Sequence, residues 1–194
     1  MVILKPGLGY LDKHISKLIL KSVPFWNSLN VTPNYLTTLS LISSIFSLYF
    51  LYNRKLIGAI IFLLFRWYFD YLDGIYARTY NLVSKFGDYY DHITDLIYSF
   101  GIIFIIVFSK YKKVYIKYYL LIILVIFYIL FLIQMGYVER EYSKINKDNV
   151  KETSISYLRK LSPNKYKYIF DAFDNSTLYI VIIIIFIIFC YYKS

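Results

Sequence analysis

Apolar residues gather in five long stretches separated by short polar breaks, a pattern that predicts membrane spans at about 35–53, 56–78, 86–109, 114–136 and 176–192. Each stretch approaches the length that crosses ~30 Å of hydrocarbon. Ahead of them, Leu8, Leu11, Ile15, Leu18 and Ile19 recur at helical spacing, while Lys13, Lys17 and Lys21 follow every four residues on another face. That spacing predicts an amphipathic helix over residues 8–23 lying on the membrane, with packing against the bundle as the alternative. Pro24 should stop it, Phe25 and Trp26 suit the headgroup level, and Thr32-Pro33-Asn34 marks a turn before the first span. Residues 137–175 are polar, with short helices expected near 153–161 and 166–173 but too little apolar length to cross.

The expected fold is all-α: a polytopic transmembrane helix bundle of five predicted spans plus an N-terminal amphipathic interfacial helix. It forms a single domain over 1–194, with 1–34 leading in, 35–136 holding the core spans, 137–175 a polar segment and 176–192 the last span.

Composition agrees with a lipid environment. Hydrophobic residues make up 59% of the 194 and aromatics 22%, more than an ordinary soluble domain carries. The N-terminal Met1-Val2-Ile3-Leu4-Lys5-Pro6-Gly7 lacks the charged region, apolar core and cleavage site of a removable signal, so the first span should act as its own insertion signal. Cys190 is the single cysteine, which excludes an internal disulfide and a thiolate metal cage.

The net charge of +10 sits between and beside the apolar stretches, so anionic membrane lipids, and no nucleic acid, are the expected partner. Lys5, Lys13, Lys17, Lys21, Arg78, Lys85, Arg140, Lys144, Lys147, Lys151, Arg159, Lys160, Lys165 and Lys167 share one side of the predicted topology. Arg54, Lys55, Lys110, Lys112, Lys113, Lys117 and Lys193 share the other. The excess puts the N-terminus and the turn between spans two and three in the cytoplasm. The sequons at Asn30 and Asn175 should then stay unglycosylated.

Residues 66–95 read RWYFDYLDGIYARTYNLVSKFGDYYDHITD, and their acids are the anomaly of the chain. Asp70 and Asp73 are three apart at the end of span two; Asp91 and Asp95 are four apart at the start of span three. Each pair therefore shares a helix face, and two antiparallel helices joined by a short turn bring the four together. Ionisable groups in spans are costly and point to function. Each close pair repels by roughly 4 kcal/mol at an effective dielectric of about 20. Arg66, Arg78 and Lys85 offset part of this, and a cage of aspartate oxygens suits hard cations such as Mg²⁺ or Mn²⁺, two of which match four carboxylates. Gly74, Ala77 and Gly87 remove bulk nearby, which on its own fits tight helix packing and also leaves room for a flat base or a phosphate. Asp88 reads as solvated, His92 as structural, and Trp67, Tyr68, Tyr71, Tyr89 and Tyr90 as interface anchors.

The run Asp70-x-x-Asp73-Gly74-x-x-Ala77-Arg78, eight residues, Gly87-x-x-x-Asp91-x-x-x-Asp95 resembles the full signature of the CDP-alcohol phosphotransferase family, and Pro33-Asn34 with Thr37 resembles the segment leading into its first span. The resemblance implies transfer of a phosphoalcohol from a CDP-linked donor, CDP-diacylglycerol or a CDP-aminoalcohol, to an alcohol acceptor, with release of CMP at the cytoplasmic membrane surface. It implies that Asp70, Asp73 and Asp91 hold Mg²⁺ or Mn²⁺, two ions in all, with Asp95 the general base in reach of the same metal. Gly74, Ala77 and Gly87 would line the cytidine site and Arg78 hold the nucleotide, with Asn34 and Thr37 as further contacts to CDP. A homodimer is implied too. The family usually has six spans where five are predicted here.

Two rival classes remain open. A membrane prenyltransferase needs a second aspartate motif, for which only Asp148, Asp171 and Asp174 are left. A divalent-cation transporter or channel needs carboxylates spread through the membrane depth, whereas here they cluster at one face.

Overall fold

A computed structural model describes residues 4–111, 113–145, 153–163 and 165–192. Lys112, Lys147, Asp148, Lys151 and Lys193, all used above, lie outside the described residues. The chain is an all-α bundle in this order: α1 (Tyr10–Leu20), α2 (Val23–Ser28), α3 (Pro33–Tyr52), α4 (Leu56–Thr79), α5 (Lys85–Phe108), α6 (Val114–Ile145), a 3₁₀ helix (Ser156–Lys160), α7 (Lys167–Phe170) and α8 (Asn175–Tyr191).

All five predicted long helices form. Three of them, α3, α5 and α6, are long and apolar enough to cross a membrane. The 24-residue α4 has the length, but Arg66, Asp70 and Asp73 interrupt its apolar run. At 17 residues, α8 is the short one.

Thr32 starts α3 as its N-cap, accepting the Tyr35 amide, and Pro33 occupies the first turn, where its missing N–H costs nothing. Helices α3 and α4 make the most extensive packing in the bundle. The reason lies in a buried stripe on α3, Ser40, Ser43, Ser44 and Ser47 between Leu36 and Leu51, where the small serines let the backbones approach. The Ser47 hydroxyl bonds across to the Ala59 carbonyl at 3.0 Å.

At one end of the bundle, Arg54, held in the left-handed region at φ 55°, donates to the Phe189 and Lys110 carbonyls and stacks on the Phe189 ring. One side chain thus ties α8 and two inter-helix loops together. The aspartates occupy the other end.

Two expectations are corrected. Pro24 does not end the helical lead-in; it sits in the first turn of a new helix, α2. The fourth long helix runs to Ile145, nine residues past the predicted end at 136, because loss of apolarity marks where lipid ends and not where the helix does. The amphipathic stretch narrows to α1, and its buried face is Asp12, Ser16 and Ile19 against α4 and α8. Leu11 and Leu18 stay exposed.

Candidate active site

The α4–α5 turn brings the acids together. Asn81, left-handed at φ 59°, ends α4 with the Leu82 amide bonding back to the Ala77 carbonyl, and Ser84 caps α5 by accepting the Gly87 amide at 3.0 Å. The chain reverses within this short turn, so the last turns of α4 face the first turns of α5.

Between them lies a cavity of about 420 Å³. Asp70, Asp73, Asp91 and Asp95 all line it, as do Gly74, Ala77, Arg78, Gly87, Asn34 and Thr37. Asp70, Asp91 and Asp95 each offer an oxygen within 4.8 Å of the other two. Two oxygens bound to one hard cation at roughly 2.1–2.5 Å lie no more than about 4–5 Å apart, so this triad fits a single ion. Asp73 is turned aside, its Oδ2 accepting the Thr37 hydroxyl at 2.5 Å.

Two cationic side chains answer part of the charge. Arg66 donates to Asp95 Oδ1 at 2.5 Å and lies 4.0 Å from Asp70 Oδ1, its guanidinium 4.4 Å from the centre of the Tyr98 ring. Arg78 lies over Gly74, where an added Cβ would come within 3.1 Å of a guanidinium nitrogen. Even so, Asp70 Oδ1 and Asp91 Oδ1 are buried with no hydrogen-bond partner among the described residues. Buried carboxylate oxygens are seldom left so, and a cation is a ligand that could complete them. The donor set therefore fits a hard divalent ion.

The cavity is roofed by the polar connector. Thr153, Ile155, Tyr157 and Leu158 line it from above α6, and Gly136 permits their approach because a Cβ there would fall 2.3 Å from the Leu158 carbonyl oxygen. Two acids and a histidine fasten the roof. The Ser154 amide bonds Asp88 Oδ2 at 2.7 Å, the Ser154 hydroxyl meets His92 Nδ1 at 2.8 Å, and the Thr153 hydroxyl donates to the fully buried Glu139 at 2.5 Å. Lys5 Nζ donates to the same Glu139 at 3.2 Å, and Glu141 packs along Gly7, a left-handed residue of the lead-in. Arg140 holds the connector from outside through the carbonyls of Arg159 and Ser162.

A match to the family model described as CDP-alcohol phosphatidyltransferase extends over residues 30–192, from just before α3 to the last turn of α8. The chain belongs to the CDP-alcohol phosphatidyltransferase family. A protein of Aquifex aeolicus (strain VF5) described as "Uncharacterized protein" is 34% identical over 85 residues, an overlap that takes in 44% of this chain and 43% of the relative. The chain thus spans less than half the length of that relative. No solved structure matches.

With the family shown, every signature position falls on one cavity, and so do Asn34 and Thr37. At Gly87 the fit is tight: a Cβ would come within 3.1 Å of the Asn34 amide oxygen and of the Ser84 hydroxyl, so one of those side chains would have to give way. Other readings change. Asp88 is no solvated acid but an anchor of the roof, and His92 is structural in the same fastening. Four of the five aromatics work inside the bundle. Trp67 stacks on Tyr179, Tyr68 bonds Trp26 and Ser22, Tyr71 bonds Asp12 and Ser176, and Tyr90 bonds Thr38; Tyr89 alone is largely exposed.

A second buried acidic pair was not anticipated. Asp174 caps α8 through the Thr177 amide and reaches across to accept the Leu11 and Asp12 amides at the start of α1. Asp12 returns the bond to the Asn175 and Ser176 amides at the start of α8. Gly9 makes the crossing possible, since a Cβ there would lie 2.4 Å from that of Asp174. Burial and the neighbouring Asp174 push the Asp12 carboxyl above its ordinary range. The readable signal was Asp174-Asn175-Ser176-Thr177 just before an apolar run.

Proposed function

We propose that this chain transfers a phosphoalcohol group from a CDP-linked donor to an alcohol acceptor, releasing CMP, in phospholipid synthesis. The reading is carried by the two orphaned oxygens of Asp70 and Asp91, buried in a cavity that the whole aspartate signature lines. Asp70, Asp73, Asp91 and Asp95 would hold two Mg²⁺ or Mn²⁺ ions, Asp73 sharing its bond from Thr37. Such ions, when bound, neutralise the donor pyrophosphate and make the acceptor hydroxyl more acidic.

The residues of the chain do the rest. Asp95 takes the proton from the attacking hydroxyl. A new O–P bond forms at the phosphorus that carries the donor's alcohol, the bond from that phosphorus to the CMP oxygen breaks, and CMP leaves. Arg78 holds the nucleotide phosphates, while Gly74, Ala77 and Gly87 keep the backbone open to cytidine beside Asn34 and Thr37. Apolar Leu96, Phe131, Leu132 and Met135 line the α5 and α6 side of the cavity, and Leu96 is 47% exposed there. Such a wall suits a reactant that carries an acyl chain, which favours a diacylglycerol-linked donor or acceptor.

The excess of Lys and Arg at this end supports a site at the cytoplasmic surface. Six further acids among the described residues, Asp12, Asp88, Glu139, Glu141, Asp171 and Asp174, lie toward the helix ends on the aspartate side, and none of the 12 in the sequence falls in residues 96–138, which supports an enzyme over a cation path. Purified protein with Mg²⁺, given CDP-diacylglycerol or CDP-choline and a panel of alcohols, should release CMP. Cation flux through vesicles without CMP release would reverse the reading, and cross-linking in membranes would test the homodimer.

A further inference from the structure

Arg66 stands outside the aspartate signature, one helical turn before Asp70, and is 4% exposed. Its surroundings are built for a guanidinium. Asp95 Oδ1 accepts from it at 2.5 Å, Asp70 Oδ1 lies 4.0 Å away, and the rings of Tyr98 and Tyr179 stand 4.4 and 5.4 Å from its central carbon. Tyr98 is itself fixed by Ser47, and Tyr179 by stacking on Trp67. Its Nε has no hydrogen-bond partner among the described residues, so the contact to Asp95 is made by one fork of the group. A cation enclosed this way, at membrane depth and against two of the three converging acids, is too costly to be incidental.

We infer that Arg66 is a resident counter-cation of the carboxylate cluster and the positioning residue for Asp95. It touches no reactant in this role. Its fixed positive charge weakens the pull of the cluster on divalent ions, while its fork and the two rings hold the Asp95 carboxylate in one rotamer facing Asp70 and Asp91. Lys could supply the charge but neither the planar fork nor the stacking, so the two duties are separable by substitution.

The inference rests on the proposed activity, and its test separates the two. Mn²⁺ binding to detergent-solubilised full-length protein is followed by electron paramagnetic resonance, beside CMP release. Wild type should bind Mn²⁺ and release CMP; failure of either overturns the proposed activity and this inference with it. Arg66→Gln should bind Mn²⁺ about tenfold more tightly, since a like charge has left the site, yet release CMP at least about tenfold more slowly with an unchanged donor KM. A merely structural Arg66 would lower metal affinity when lost, and equal or weaker Mn²⁺ binding in Arg66→Gln overturns the inference while leaving the activity standing. Should Arg66→Gln not fold, Arg66→Lys decides: wild-type Mn²⁺ affinity with slowed release upholds the inference, and wild-type rates overturn it.

Discussion

Two groups of buried acids lie within reach of one cavity, and only one of them is short of partners. Asp12 and Asp174 are 3% and 0% exposed, deeper than most of the signature, yet every bond they accept comes from a helix N-terminus or a hydroxyl already in place. Asp70 and Asp91 are only half-buried, yet each keeps one buried oxygen without a donor among the described residues. Burial of an acid is therefore no mark of a site. The informative difference is what the fold withholds: α1 and α8 exchange their free N–H groups for two carboxylates, while α4 and α5 bring acids together and leave them unfinished.

The largest break in that comparison is at Asp95. Asp95→Asn keeps the shape and the contact to Arg66 but cannot accept the hydroxyl proton. CMP release should fall by about 10²–10⁴, with donor binding retained, as read by equilibrium binding of the labelled donor. Unchanged turnover would remove Asp95 from the role of base.

Opposite signs are expected when one acid of each group is altered. Asp70→Asn removes a repelling charge from an incomplete cluster, so in chelator the melting temperature should stay level or rise, while affinity for Mn²⁺ and nucleotide drops together by about 10–100-fold. Asp174→Ala strips the acceptor from three backbone amides and the Thr177 hydroxyl at once. It should cost about 2–4 kcal/mol in urea melts with or without metal, because buried amides are left unpaired. A metal-dependent loss at Asp174, or a metal-free loss at Asp70, would merge the two groups.

The same contrast explains what could be read in advance. The signature acids were legible because spacings of three and four fix one face of a helix, whatever the helix packs against. The Asp12–Asp174 exchange was not, because it joins residues 162 apart in sequence, and periodicity reports a face without naming its partner. For α1 this misled directly: Leu11 and Leu18 marked an apolar face, but Asp12 and Ser16 turned inward once α8 supplied donors. Likewise α6 outran its apolar stretch, since a helix packed under the connector through Gly136 has no need of lipid there.

The smallest effect should come from the roof, where the two strategies meet. Ser154 joins the connector to α5 by two bonds of different kinds, its amide to Asp88 and its hydroxyl to His92. Ser154→Ala removes the second and keeps the first, so less than about 1 kcal/mol of stability should be lost. His92 Nδ1 still has the Asp88 carbonyl at 2.6 Å, which limits the penalty further. Because Ile155 and Tyr157 follow directly and line the cavity, slack at residue 154 should act on what lies beneath them. The expected reading is a rise of about two- to fivefold in acceptor KM, with Mn²⁺ affinity untouched, since among the described residues Arg66 pairs with Asp70 and Asp95 and not with the connector. A shift in metal affinity instead would mean that the roof and the aspartates form one unit, and that the boundary drawn between satisfied and unfinished acids runs in the wrong place.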